Sequence, residues 1–281
     1  MIHPSVSWWS ALNAPIYLIS ILPGIGVWLL VRPPDVKSVA LIVATLAVVL
    51  LQHAINVLND AADWRLGADV DKADSWVRVH AEDMSLVLKH GWVSFTAGSL
   101  VGTLALAWTD RLWILALALP LVALGYLYNS GPRPLSYTRL GEWVTGICYG
   151  PGVFGCLWLV TGAPTGLMTI MGCIAFGALA VALLLSHQPP QIRTDQSAGK
   201  RSFAVRYGAA LTLRTARLLF LVYLTTWLFA MSQVPAMATS LPLWLGLAAS
   251  AFAGTFTDRL GPRYLLFSAT SLMIAQGLLR S

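Results

Sequence analysis

Apolar runs of roughly 17–23 residues, each long enough to cross a bilayer, recur along the whole chain and are divided by short polar breaks. They fall near 14–31, 38–58, 92–108, 112–128, 140–162, 166–186, 216–236, 241–256 and 264–280. The pattern predicts an all-α, polytopic membrane protein of about nine transmembrane helices. Pro23 and Pro151 lie inside runs, where neighbouring helices satisfy the freed carbonyls. Trp8, Trp9, Trp92, Trp108, Trp113, Trp143, Trp158 and Trp244 fall near run ends, as interface-seeking indoles do.

One break differs from the rest. Between Gln52 and Asp74 the chain reads QHAINVLNDAADWRLGADVDKAD, passing from apolar to polar before the second run has ended. Gln52, Asn56, Asn59, Asp60 and Asp63 recur at steps of three and four, so a helix would gather amides and carboxylates on one face. Asp69, Asp71 and Asp74 follow on a predicted loop that bends at Gly67. Seven of the twelve acidic residues lie between Asp60 and Asp83. Carboxylates aimed at one spot repel unless a cation sits between them, and an oxygen-rich set suits Mg²⁺ held against substrate phosphates. A solvated acidic loop capping a helix is the plain alternative. The periodicity begins inside the apolar run, however, where polar groups are costly and usually functional.

Composition narrows the class. With 57% hydrophobic and 11% charged residues, the chain is far from the mix of a soluble domain. No basic segment precedes the first run, so residues 1–13 are not expected to form a cleaved signal. Cys148, Cys156 and Cys173 all fall in apolar runs without metal-ligand spacing and read as packing residues. Loops 33–37, 109–111, 163–165 and 237–240 carry only Lys37 and Arg111 as basic residues, with Arg32 at an edge. Loops 59–91, 129–139, 187–215 and 257–263, on the opposite face, hold most of the eighteen Lys and Arg. The positive-inside rule places these loops and the N-terminus in the cytoplasm. The net charge of +6 is thus a matter of topology and not of nucleic-acid binding. Inside the runs, Glu142 is the main charge, and no chain of acidic or histidine residues crosses the bilayer as a transporter relay would. His53, one turn inside the second run, is expected to be a hydrogen-bonded packing residue.

Two further polar stretches share the acidic stretch's face. Residues 187–208 read HQPPQIRTDQSAGKRSFAVRYG. His187, Gln191 and Asp195 step by four, but Pro189 and Pro190 predict a span ending near His187 and a fresh helix beginning at the prolines. Arg193 and Lys200 are candidates for phosphate contact or for membrane anchoring, and Arg206 for anchoring. Residues 129–139, NSGPRPLSYTR, form a stiff turn that presents Arg133, Tyr137 and Arg139. No phosphate-binding glycine loop, dinucleotide fingerprint or hydrolytic triad is present.

The segment NxxNDxxDxxxGxD at Asn56–Asp69 resembles the first motif of the UbiA-type intramembrane prenyltransferases, closest to the branch that prenylates 1,4-dihydroxy-2-naphthoate in menaquinone synthesis. Tyr128, Gly131-Pro132, Pro134-Leu135, Tyr137 and Leu140-Gly141-Glu142 resemble that branch's next loop. Asp195 with Ala198-Gly199-Lys200-Arg201 and Ala204-Val205-Arg206 resembles the block after the sixth span. The resemblance covers about residues 8–210 and departs at one position. Gln191 stands where the family's second motif usually has an acidic residue, four before Asp195.

The resemblance implies one domain over 1–281, with nine helices around a central cavity capped by cytoplasmic loops. It places the protein in a membrane, expected to be a bacterial inner membrane, acting in quinone biosynthesis. It implies Mg²⁺-dependent transfer of a prenyl group from a prenyl diphosphate to an aromatic acceptor, with no nucleic acid and no predictable protein partner. Asp60, Asp63 and Asp195 would hold the metal, with Asn56, Asn59, His187 and Gln191 in support. Asp69 would join them or position a cation. Lys200, Arg133 and Tyr137 would act on the diphosphate, with Arg193 nearby. A terpene cyclase of the same fold and a non-catalytic prenyl-lipid binder are the alternatives, the second favoured only by Gln191.

Overall fold

The computed structural model describes residues 6–68, 72–131, 134–234, 241–255 and 260–280, and these contain helices and turns without strands. The main helices are α1 (Leu18–Val31), α2 (Asp35–Leu66), α3 (Met84–Trp108), α4 (Leu115–Asn129), α5 (Gly141–Thr161), α6 (Leu167–His187), α7 (Phe203–Ser232), α8 (Leu241–Thr255) and α9 (Pro262–Arg280). Seven stretches among the described residues are long and apolar enough to cross a membrane, ending with α7. The helices α8 and α9 complete the bundle at positions near those the apolar pattern predicts, though neither meets the same measure of length and apolarity.

Helix boundaries depart from the apolar runs where a helix outlasts its hydrophobicity. The 32-residue α2 is about 48 Å long, so its last turns continue past the hydrocarbon thickness while remaining helical. Its end is set by Gly67 at φ 79°, a left-handed conformation open to glycine at little cost. Asp63 and Trp64 carbonyls there accept the Ala68 and Gly67 N–H groups. Helix α3 starts at Met84, ahead of the run at 92, because the Asp83 carboxylate caps the Ser85 and Leu86 N–H groups. Helix α7 likewise starts at Phe203, inside the expected loop 187–215, and absorbs a kink at Gly208 (φ 78°). Helix α6 ends at His187, followed by a 3₁₀ turn at Pro189–Gln191 and a short helix at Ile192–Ser197, as the prolines predict.

The bundle has a dense side and a hollow side. On the dense side Phe154 of α5 stacks on Phe176 of α6, which meets Trp227 of α7 edge-on, with centroids 5.1 and 5.5 Å apart. The Trp227 indole donates to Gln276 of α9 at 2.7 Å. Trp158 and Trp244 belong to this buried core and not to the interface, which corrects the expectation from their positions near run ends. The other six named indoles are exposed. Glycines bring the α5 and α6 backbones together, and a Cβ at Gly150 would stand 2.5 Å from the Cys173 carbonyl oxygen.

Around Pro151 the hydrogen bonding of α5 widens to a π-helical segment, Cys148–Gly155, which turns Cys148, Tyr149, Gly152 and Val153 toward a cavity. That cavity, of about 1270 Å³, occupies the hollow side between α2, α3, α4 and α5. Its lining runs from Asp60 and Asp63 at one end to Leu106, Ile114 and Val160 at the other.

Replacing Gly150 with Ala should cost about 1–3 kcal/mol, since the facing atom is backbone and cannot yield. Gly246→Ala, with nothing within 4 Å, is the control. Thermal unfolding in detergent should drop for the first and not for the second.

Candidate active site

The polar end of the cavity is built on the last turns of α2. Because α2 stays helical to Leu66, Gln52, Asn56, Asn59, Asp60 and Asp63 all fall on its cavity wall, as their spacing predicts. Gln52 is tied into the scaffold. Its carbonyl oxygen accepts from Ser20 at 2.6 Å, and its amide donates to the Ile16 carbonyl at 3.2 Å. Asp60 and Asp63 are almost fully buried, so each needs its charge met locally. Asp60 takes the Lys72 ammonium at 2.8 Å on one oxygen and the Trp76 backbone N–H at 2.7 Å on the other. Asp63 takes the Tyr137 hydroxyl at 2.8 Å and the Lys200 ammonium at 3.0 Å.

Lys200 joins three polar stretches that lie far apart in the chain. Its ammonium also lies 3.9 Å from Asp195 and 4.8 Å from the Tyr137 ring centroid. Its backbone N–H donates to the Asp195 carbonyl at 2.8 Å, and the next N–H, of Arg201, donates to the Tyr137 carbonyl at 3.1 Å. The stiff turn at 134–140 and the segment after α6 are thereby clasped over α2. Asp195 sits behind this clasp. Its carboxylate accepts from Ser202 at 2.9 Å, and the residue is off the cavity wall.

The candidate residues therefore separate. Asn56, Asn59, Asp60, Asp63, His187, Gln191 and Lys200 line the cavity, and Tyr137 reaches Asp63. Arg193 is exposed and off the cavity wall. Asp69 and Arg133 lie outside the described residues, as does Asp71. The expected three-carboxylate metal set is not gathered around one point, and the described residues hold no group of three His, Cys, Asp or Glu placed to share a metal ion. Asp60 and Asp63, flanked by the amides of Asn56 and Asn59, still form an oxygen donor set suited to Mg²⁺.

Lys72 and Trp76 were not identified from sequence, although Lys72 stands inside the acidic stretch it neutralises. The loop carrying them is pinned by a string of side chains behind Asp60. Tyr17 hydrogen-bonds to His53 at 2.7 Å, His53 to His90 at 3.0 Å and His90 to His80 at 3.1 Å. The Trp76 ring meets His53 and His90 edge-on at 5.0 and 4.9 Å. His53 is thus a hydrogen-bonded packing residue. Glu142 and Arg206 form a second brace. One Glu142 oxygen accepts from the Phe203 N–H at 2.7 Å and from Gln188 at 3.3 Å, and the other from Arg206 at 3.2 Å. A buried carboxylate so engaged caps α7 and fixes the clasp. Arg206 is therefore a partner of Glu142 as well as a basic residue of the loop face.

This fold and lining define a helical membrane protein with a cavity that is polar at one end and apolar along the rest. The UbiA prenyltransferase family model matches residues 17–268, and the chain belongs to that family. It is 28% identical over 172 residues to the 1,4-dihydroxy-2-naphthoate octaprenyltransferase of Bacillus subtilis (strain 168), covering 59% of this chain and 55% of that one. It is 30% identical over 177 residues to the protein of the same name from Mycobacterium tuberculosis (strain ATCC 25618 / H37Rv), covering 62% and 59%. The chain thus matches 55% and 59% of these two relatives' own lengths. In fold it is similar to a UbiA homolog from Archaeoglobus fulgidus solved bound to DMAPP and Mg²⁺, with a TM-score of 0.68 at 15% identity over 97% of this chain and 98% of that one.

Glu142→Gln leaves Arg206 without its counter-charge and should cost about 1–3 kcal/mol. A thermal midpoint equal to that of the unmodified protein would contradict the bracing role.

Proposed function

We propose that the chain is an enzyme that transfers a prenyl group from a prenyl diphosphate to an aromatic acceptor of naphthoate type, with Mg²⁺ as its cofactor. The observation that carries this is the Asn56–Asn59–Asp60–Asp63 face of α2, met by Lys72 and Lys200 at the mouth of a long apolar cavity. The names of the bacterial relatives support the acceptor. The DMAPP and Mg²⁺ bound to the archaeal protein support the donor and the metal. Residues 1–281 would act as one unit in the membrane of a bacterial cell, its basic loops toward the cytoplasm.

Asp60 and Asp63 would hold the metal, with Asn56, Asn59, His187 and Gln191 lining the same mouth. Bound there, Mg²⁺ supplies Lewis-acid neutralisation of the diphosphate. The chain's own residues do the rest. Lys200 and Lys72 carry their charges on flexible four-carbon stems beside Asp63 and Asp60, so both can turn to diphosphate oxygens when that anion arrives. Tyr137 adds a hydroxyl donor on the same side. Once placed on the diphosphate, these donors are strongest toward the charge that grows on the leaving group as the allylic C–O bond breaks with its electron pair. A ring carbon of the acceptor then supplies the pair for the new C–C bond, and the ring regains aromaticity by losing a proton. Asp195, off the wall and held by Ser202, positions Lys200. The apolar lining receives the isoprenoid tail and keeps water from the allylic cation.

The test is a mass-spectrometric assay in nanodiscs with Mg²⁺, a long-chain prenyl diphosphate and a mixture of 1,4-dihydroxy-2-naphthoate and 4-hydroxybenzoate. Prenylated naphthoate, absent with EDTA, is expected. Asp60→Asn and Asp63→Asn should abolish it, and Lys200→Met should lower turnover by about 10²–10³-fold. Product formation that ignores EDTA and all three substitutions would refute the assignment.

Gln191 faces the mouth as a neutral amide beside His187. A carboxylate there replaces the neutral amide with an anionic oxygen donor, so Gln191→Asp should keep turnover and lower the Mg²⁺ concentration giving half-maximal rate. Loss of activity at every Mg²⁺ concentration would show that the amide itself is needed.

A further inference from the structure

Three lysine or arginine side chains line the cavity among the described residues, and one has no acidic partner. Lys72 and Lys200 face Asp60 and Asp63, whereas Arg263, at the start of α9, meets the neutral side chain of Asn13 and no carboxylate among the described residues. Its guanidinium Nη2 donates to Asn13 Oδ1 at a long 3.4 Å. An arginine stays charged at any working pH and presents its donors as a planar fork. Lining the cavity with no carboxylate of the described residues against it, that fork is matched to an anionic group brought by a ligand.

The surroundings say which end of the cavity this is. Asn13 is held at φ 44°, a left-handed conformation that asparagine tolerates better than most residues, at the joint between the short helix Trp8–Leu12 and the 3₁₀ turn Ala14–Tyr17. The turn that follows is fastened to α2. The Ile16 carbonyl accepts from Gln52, and Tyr17 bonds to His53 and reaches Asn56. Asn13 and Arg263 therefore stand at the polar end of the cavity, near the Gln52 and Asn56 turns of α2. Tyr264 lines the cavity beside Arg263.

Resting on the function proposed above, we propose that Arg263, with Asn13, binds the carboxylate of the aromatic acceptor and so selects carboxylated rings. The diphosphate has its own cations in Lys72 and Lys200, which are seated on Asp60 and Asp63. A second anion in the same mouth needs a separate cation, and a guanidinium fork suits a planar carboxylate. An acceptor without the carboxylate would leave the guanidinium unmatched, which is how a polar site rejects an analogue. The neighbouring Tyr264 offers an aromatic face to the ring.

The test compares 1,4-dihydroxy-2-naphthoate with 1,4-dihydroxynaphthalene, the same ring lacking the carboxylate, in the unmodified protein, Arg263→Gln and Arg263→Lys. Affinity for each ring is measured in nanodiscs by quenching of tryptophan fluorescence, which needs no turnover, and KM for both substrates is measured where turnover occurs. In Arg263→Gln, naphthoate affinity should fall by about 10–100-fold, the value of a charge-assisted contact, with no change for the neutral ring. KM for the prenyl diphosphate should hold, and Arg263→Lys should recover part of the loss. The same loss of naphthoate binding in a protein that transfers no prenyl group would support this site while refuting the proposed reaction. Normal prenyl transfer with naphthoate affinity unchanged in Arg263→Gln would overturn the site alone. So would an effect on KM of the diphosphate only, or one present only in nanodiscs of anionic lipid, which would make the bound anion a phosphate of donor or lipid.

Discussion

The polar mouth depends on the ion pairs that Lys200 makes with Asp63 at 3.0 Å and, more distantly, with Asp195 at 3.9 Å. Two buried carboxylates so close to an apolar interior need their charge met locally, and this ammonium lies near both. The same residue's backbone holds the segment after α6 to Asp195, and Arg201 holds it to the turn at Tyr137. One lysine thus sets the charge of the site and marks where its three polar stretches meet. Glu142 performs the comparable task one layer back, joining α5, Gln188 and the start of α7.

The arrangement divides labour between a rigid side and a hollow one. Aromatic packing between α5, α6 and α7, with Gln276 bonded to Trp227, fixes the far wall. Against that wall the π-helical segment of α5 opens the space that α2, α3 and α4 enclose. A helix such as α2, apolar for most of its length and polar in its final turns, places amides and carboxylates at one end of an otherwise largely apolar cavity. A membrane-bound substrate with a charged head and a long tail has the same polarity profile.

Much of this was legible in the sequence because period and hydrophobicity act locally. The amide and carboxylate spacing on α2, the break at Pro189-Pro190 and the bend at Gly67 each follow from backbone rules that need no tertiary contact. Helix ends were less legible. At Met84 and Phe203 the helices begin among polar residues whose caps, Asp83 and Glu142, hold them outside the apolar run, and Glu142 lies 61 residues from the N–H it caps. Lys72 on Asp60 and Ser202 on Asp195 escaped for a different reason. A lysine in an acidic loop and a serine near a carboxylate look alike whether or not they touch. Trp158 and Trp244 looked like interface residues from their place near run ends, but burial is settled by neighbouring helices.

The most direct test of the central claim, that the lysine-held carboxylates of α2 are the seat of a metal and a diphosphate, is calorimetric titration of a thiolodiphosphate donor analogue into the nanodisc-bound protein. The account predicts binding that requires Mg²⁺, weakens about 10-fold or more in Lys200→Met and is lost in Asp60→Asn. Equal affinity with EDTA and in both variants would contradict it, and would move the polar site away from α2.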